Sequence, residues 1–499
     1  MSDYIFGPEI RNLLKKSLPA NAISGEINTP ESVYLPQSHV KALRPNSSLV
    51  VGIRGSGKSF WWTTLQNAQY RNLYGDDIGL SEKDHISVGF GEKPQPDLYP
   101  SRDVLEYLLK TTTPYLMWKM IIFKQLIETY SNTGFLSALL KQPKLQNFLS
   151  LKQWADRTLW FTDNENIELI DKIFYQIDQY LEQTKTYHIF LFDALDRTAV
   201  EWKNMNSLVR GLLQNALDFQ YYKRIRLKIF ARPDQIEDTE TRNFPDASKI
   251  LSQRTDLIWP REELYALLWH YLANNKDNDD LFRRTTEDWY KLSWEKKGDI
   301  WIVPDQLRRE DFAYQRELFH AITGPQMGQD TRRGYPYTWL INHLGDTRKQ
   351  VSPRSFLTAL RVASELPERS NYLYPIYYEA IKQGVQSASK IRVQEIEEDY
   401  PWVRDLFEPL RTLVVPCPVQ DIESLWNRQD VLTKLETKIN SIEVKLPPQH
   451  LQEGVSGVLR DLKDLGLVEF VSEDRVNIPD VYRVGYGMGR KGGIKPAAR

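Results

Sequence analysis

Cysteine is almost absent from this chain. Cys417 stands alone among 499 residues, which excludes an internal disulfide and a cysteine-rich zinc site and suits a reducing, cytoplasmic setting. Long apolar runs are missing too. No stretch approaches the ~18 consecutive apolar residues of a membrane span, and the best, Tyr115 to Ile127, is interrupted by Lys119, Lys124 and Gln125. Met1 to Gly7 carries neither a basic flank nor an apolar core, so no secretion signal is read there. An excess of charge of one sign is also lacking. The 65 basic residues face 66 acidic ones, so no global field draws the chain to nucleic acid, and any DNA contact has to come from a local patch. These absences leave a soluble intracellular protein with no membrane partner, long enough for roughly two to four domains.

What is present is concentrated in Leu49-Val50-Val51-Gly52-Ile53-Arg54-Gly55-Ser56-Gly57-Lys58-Ser59. From Gly52 onward the run fits G-x-x-x-x-G-K-[ST]. Glycines at these positions let backbone N–H groups turn inward around phosphate oxygens. A helix starting at the end of the motif adds its positive pole to the same anion. Ser48 to Val51 reads as a buried strand and Phe60 to Tyr70 as a helix, the context the motif demands. The cradle then runs through Gly52, Arg54, Gly55, Ser56, Gly57, Lys58, Ser59 and Phe60. Lys58 is placed to reach the β- and γ-phosphates, and the Ser59 hydroxyl to hold Mg²⁺. The competing explanation is a glycine turn that matches by chance.

Later segments supply a sheet for that loop. His85 to Gly91 alternates like a strand, and four helical stretches follow: Ser101–Lys110, Tyr115–Tyr130, Phe135–Leu149 and Glu165–Leu181. They exceed what a βαβ unit needs, and read either as an insertion over about residues 100–182 or as an elaborated helical layer. Ile189 to Phe192 is a continuous apolar run ending in Asp193, the look of a parallel strand buried on both faces. A carboxylate at that strand end holds Mg²⁺ opposite Ser59 in the Walker B arrangement, or else caps the next helix. Ile225 to Ala231 is another strand, followed by Arg232. That arginine either touches the γ-phosphate or the attacking water, or it pairs with a nearby loop carboxylate. Thr255 to Trp259 is a fifth strand, and Pro260 opens a helix. Strands alternating with helices give a parallel α/β sheet.

Leu264 to Val415 reads as mostly helical. Within it Ser352 is an N-cap candidate, Pro353 a first helical residue, and Arg354 a first-turn arginine that faces either a phosphate or solvent. From Pro418 two amphipathic helices, Val431–Ile439 and Gln449–Leu465, precede two strands, Gly466–Val471 and Arg475–Ile478, in the plan of a winged helix. A glycine-rich basic tail closes the chain with Gly485, Gly487, Gly489, Arg490, Lys491, Gly492, Gly493 and Lys495. The charges at Glu453, Arg460, Asp461, Lys463 and Asp464 are too balanced for a recognition helix in a major groove, so protein contact competes with DNA binding there. The expected division is an arm over 1–45, a P-loop domain over 46–275, a helical lid over 276–417 and a winged-helix-like domain over 418–499.

Three of these features resemble the AAA+/STAND superfamily of P-loop ATPases, including the KAP and origin-recognition types. They are the Gly52–Ser59 run, the string Phe192-Asp193-Ala194-Leu195-Asp196-Arg197, and a helical lid with a winged helix behind it. The resemblance implies a bacterial ATPase that binds ATP and Mg²⁺ and works as a molecular switch, of a kind linked to defence against phage. It implies partners as well: further copies of the chain or a separate effector protein. One departure is plain. Where these enzymes carry a water-activating glutamate after the Walker B aspartate, this chain has Ala194, which leaves Asp196 as either the base or a helix cap. Arg197 and Arg232 are the nominated trans-acting arginines. GTP is disfavoured, because Asn275-Lys276-Asp277-Asn278 lacks the final aspartate of the guanine-reading motif. Two other functions stay open: an ATP-dependent DNA loader or regulator of the origin-recognition or transposition type, and a scaffold whose nucleotide is structural.

Overall fold

A computed structural model of the chain describes residues 4–19, 32–276, 280–309, 313–441, 444–491 and 494. It divides into two compact units, one of His39–Gly52 with Gly57–Leu257 and the other of Met1–Ser38, Ile53–Ser56 and Ile258–Arg499.

The first unit is built on five parallel strands: β1 (Leu49–Val51), β2 (His85–Phe90), β3 (His188–Phe192), β4 (Ile225–Ala231) and β5 (Thr255–Asp256). Their order is β2-β3-β4-β1-β5. β3 is buried along its whole length, as expected of a parallel strand covered on both faces. Part of that cover is the Pro114–Tyr130 helix, whose Trp118 ring meets Phe90 and Phe192 edge-on. Its Gln125 amide donates to the Val88 carbonyl of β2 at 2.8 Å. This helix is inserted in sequence between β2 and β3, yet in space it is a layer on the sheet. β4 carries an unusual buried residue, Lys228, whose ammonium donates to the carbonyls of Ala42, Arg44 and Ser47 at 2.7, 2.9 and 2.7 Å. Burial pushes its pKa down to about 7. These bonds fix the turn that feeds β1, and hence the start of the glycine loop. β4 lies between β1 and β3, so the polar ends of three neighbouring strands lead to Lys58, Arg232 and Asp193. In parallel sheets this carboxyl edge is where ligands bind.

Two sequence expectations change here. The helix read over Phe60–Tyr70 breaks into Lys58–Gln66 and Ala68–Ile78, because Asn67 adopts an extended conformation and its side chain accepts from Gln69 N. The Phe135–Leu149 stretch is three short pieces, with Pro143 starting the last.

The second unit is mainly helical. Its core gathers Leu264, Tyr265, Leu268, Trp269, Phe319, Leu340 and Phe356. The Glu9–Ser17 helix buries Ile10, Leu13 and Leu14 in the same cluster, and Arg11 Nε donates to the Ser364 carbonyl at 2.8 Å. A hairpin, β6 (Glu295–Lys297) with β7 (Ile300–Ile302), interrupts the region expected to be helical. Its two-residue Gly298-Asp299 turn is a recognisable hairpin signal in the sequence, with Gly298 at φ 60°.

At the C-terminal end, β8 (Cys417–Pro418), three helices (Val419–Arg428, Val431–Ser441, Gly454–Asp464), β9 (Glu469–Ser472) and β10 (Arg475–Asn477) follow in turn. The sheet order is β8-β10-β9, all antiparallel. The described part of the glycine-rich tail packs against this unit. Gly485 belongs to the Asp480–Tyr486 helix, and Arg490 pairs with Asp480 at 3.3 Å and bonds Asn477. Gly489 N donates to the Leu413 carbonyl at 2.8 Å, and Ile494 is buried. Gly492, Gly493 and Lys495 lie outside the described residues.

Two helices dominate this unit, Pro353–Glu365 and Tyr378–Asp399. They meet so closely at Gly384 that an added Cβ would lie 2.1 Å from the Ala359 carbonyl oxygen. Gly384→Ala forces the pair apart and is expected to cost about 1–3 kcal/mol, read as a lower chemical-denaturation midpoint. An unchanged midpoint contradicts this packing.

Candidate phosphate-binding site

In the sheet unit, β1 delivers the chain to Gly52, whose N–H donates to the Ala231 carbonyl at 3.0 Å. The Lys58–Gln66 helix then begins with Gly57 as its N-cap at φ 102°, a left-handed conformation open to glycine. Lys58 Nζ donates to the Gly52 carbonyl at 2.7 Å, so the side chain bends back over the start of its own loop. Desolvation pushes its pKa down to about 8, opposed by the charge of Asp193 and reinforced by that of Arg232. Asp193, at the end of β3, is buried. Its pKa is raised by burial and pulled back by a hydrogen bond from Ser59 and the charge of Lys58. The three side chains that the sequence singles out as the phosphate lysine, the hydroxyl and the strand-end carboxylate are therefore neighbours.

Ala194, directly after Asp193, has φ 56°. Such a backbone costs about 1 kcal/mol in a non-glycine residue. It turns the chain sharply into the short Leu195–Arg197 helix and redirects Asp196. Asp196 does not cap the next helix, Trp202–Asp218, whose N-cap residue is Glu201. Instead its carboxylate sits 3.8 Å from Arg232 Nη1. Arg232 also faces Asp234, with Nε 3.3 Å from Oδ1, and its backbone N–H donates to Gln235 Oε1 at 2.8 Å. The loop-carboxylate pairing weighed for Arg232 is thus present, and it is made to Asp196 itself. Arg197 points elsewhere and pairs with Glu92 at 2.6 Å. Phe60 packs edge-on against Trp61, with ring centroids 5.2 Å apart.

The crest of the loop, Ile53–Ser56, packs as part of the helical unit. Arg54 is ion-paired with Asp399 and, at 2.9 Å, with Glu398. Gly55 has φ 76° and accepts at its carbonyl from Ser352 Oγ at 3.1 Å. Ser352 does occupy the N-cap position of the Pro353–Glu365 helix, but its hydroxyl makes this loop contact and no capping bond. Arg354, in the first turn, pairs with Glu395. Ser56 Oγ is buried without a hydrogen-bond partner. Sequence reasoning passed over Asp234, Trp259, Arg392 and Asp399. A signal existed for Arg392, a charge on the buried stripe of Val385, Ala388, Ser389 and Val393.

The residues fit a nucleotide phosphate with Mg²⁺: a glycine cradle, an orphaned buried hydroxyl at Ser56, a bent lysine, and a hydroxyl–carboxylate pair. Mg²⁺ is commonly held by one or two protein oxygens together with substrate phosphates.

No protein-family model matches the chain, and no curated protein matches it. Among solved structures it is similar to Cdc6p from Pyrobaculum aerophilum, at 13% identity over 97% of each chain with a TM-score of 0.28. It is likewise similar to the ORC2 protein of Aeropyrum pernix in ADPNP–ADP complexes, at 12% identity over 94% of this chain and 98% of that one, again with a TM-score of 0.28. Likeness at that level carries no weight for function, and the fold assignment rests on the sheet order and the loop.

Replacing Ala194 by glycine removes the left-handed cost. Ala194→Gly is expected to stabilise the protein by about 0.5–1 kcal/mol, seen as a higher denaturation midpoint. A lower midpoint contradicts the conformation.

Proposed function

We propose that the protein binds Mg²⁺–ATP and hydrolyses it slowly, as a nucleotide-gated switch. The observation that carries this is the convergence of Lys58, Ser59 and Asp193 at the carboxyl edge of a parallel sheet, beneath a G-x-x-x-x-G-K-[ST] loop. Mg²⁺, when bound, would supply charge neutralisation to the phosphates. Ser59 and Asp193 hold that cation. Lys58 gives its charge to the phosphates, exchanging the Gly52 carbonyl for them. Gly52, Gly55, Ser56 and Gly57 line the cradle, flanked by Arg54 and Phe60. Asp196 is the proton acceptor for water, oriented by its pairing with Arg232. That pairing also occupies the acid, which is why turnover is slow. The working parts are the P-loop domain over 46–275, the lid over 276–417 that carries Arg354, and the winged-helix-like domain over 418–499, with 1–45 as an arm. The output goes to further copies of the chain or to an effector protein.

Lys58→Ala is expected to lower ATP turnover by at least about 100-fold; turnover equal to wild type overturns the assignment. A pH signature follows from the same side chain. Its pKa near 8 in the free protein rises when phosphate charge arrives, because anions favour the ammonium. Binding therefore takes up a proton above about pH 8, and affinity falls as pH increases through that range. Calorimetric titration at about pH 8.5 in two buffers of different ionisation heat should show net proton uptake, and zero uptake contradicts the placement of Lys58.

A second reading, ATP-gated binding of duplex DNA, is favoured by the winged-helix-like order of the C-terminal elements. The charges oppose it: Arg460 is engaged by Glu453 at 2.9 Å, and the wing exposes Phe470 and Val471 beside Glu473 and Asp474. This reading requires duplex binding that weakens steeply with salt and with Lys463→Glu. The absence of such binding removes it.

A further inference from the structure

Three consecutive carbonyls at the loop crest are each held by a side chain of the helical unit. The Arg54 carbonyl accepts from Arg392 Nη1 at 2.7 Å. The Gly55 carbonyl accepts from Ser352 Oγ at 3.1 Å. The Ser56 carbonyl accepts from Trp259 Nε1 at 2.7 Å. In a trans peptide the C=O of one residue and the N–H of the next point in opposite directions. Anchoring these carbonyls therefore aims the N–H groups of Gly55 and Gly57 the other way. The N–H of Ser56 closes a turn onto the Ile53 carbonyl at 3.2 Å. Glycine-rich backbone is otherwise the segment with most conformational freedom to lose when it closes on a ligand.

The anchors are themselves fixed. Arg392 is buried, bonded to Glu395 at 3.2 Å, with its guanidinium 5.9 Å from the Tyr482 ring centre. Glu395 is shared with Arg354, and although burial opposes its charge, the guanidiniums of Arg392 and Arg354 hold its carboxyl below the ordinary range. Asp399, which grips the Arg54 side chain, is also 3.7 Å from Lys445. Gly55 is held so closely that a Cβ there would lie 2.3 Å from Ser352 Oγ. The crest is thus shaped by residues 200 to 340 positions away in sequence, on three separate elements.

We propose that Ser352, Trp259 and Arg392 are positioning residues for nucleotide binding: they pre-form the phosphate loop by anchoring its outward carbonyls. The proposal deepens the Mg²⁺–ATP reading and rests on it. A pre-formed loop binds phosphate without the ordering cost of a free one. Loosening the anchors therefore weakens nucleotide affinity while leaving the fold intact.

The test uses the full chain and a fluorescent ATP analogue with Mg²⁺. Ser352→Ala with Trp259→Phe removes two of the three donors, the first near-isosterically and the second with loss of the indole's smaller ring. The double variant is expected to raise the dissociation constant by about tenfold, with the melting temperature of the nucleotide-free protein unchanged. Ser352→Thr, which keeps a hydroxyl, is expected to retain wild-type affinity, a rescue that a merely structural role would not predict. Affinity of the double variant equal to wild type overturns the proposal, as does an equal loss in Ser352→Thr and Ser352→Ala. Failure of the underlying reading looks different: wild type itself would show no binding, or Lys58→Ala would bind as well as wild type.

Discussion

Lys58, at the start of the helix that follows β1, and Asp193, at the end of β3, are opposite charges brought together at one edge of the sheet, and much of the sheet unit serves to keep them there. Each alone would be costly in that position. Desolvation moves both pKa values toward neutrality, and each is pulled back by the other. Their meeting requires the parallel order in which β4 separates β1 from β3. It also requires the turn before β1 to be rigid, which the buried Lys228 ammonium ensures through three carbonyls. In the proposed Mg²⁺–ATP reading, an incoming phosphate and cation would match this pair charge for charge.

Around that pair the chemistry of hydrolysis is less direct. A glutamate after Asp193 would point straight from the strand end. Here Ala194 takes a left-handed turn, and the acid arrives two residues later on a short helix, facing Arg232. An acid engaged by arginine is less free to accept a proton from water. The proposed behaviour, nucleotide binding with slow turnover, suits a switch whose state must persist. The crest carbonyls of Arg54, Gly55 and Ser56 are anchored by Arg392, Ser352 and Trp259.

The local parts of this arrangement were legible in the sequence. The glycine pattern from Gly52 to Ser59, the apolar run into Asp193 and the strand into Arg232 each carry their own signal, and the elements fall where those signals place them. The Gly298-Asp299 turn was legible as well and was overlooked. What the sequence could not disclose were long-range pairings. Nothing near Ser352 announces that its hydroxyl meets Gly55 instead of capping its own helix, and nothing near Asp399 announces Arg54. Such contacts depend on how helices pack, as at Gly384 against Ala359, and periodicity along one helix does not encode its partner. The defence role implied by the family resemblance is tied to no residue of the fold.

The most direct measurement is the dissociation constant of ATP with and without Mg²⁺, in wild type and in Asp193→Asn. If Ser59 and Asp193 hold the cation, Mg²⁺ tightens binding to wild type and has little effect on the variant. Equal tightening in both would show that the strand-end carboxylate is no part of the site and would contradict the account.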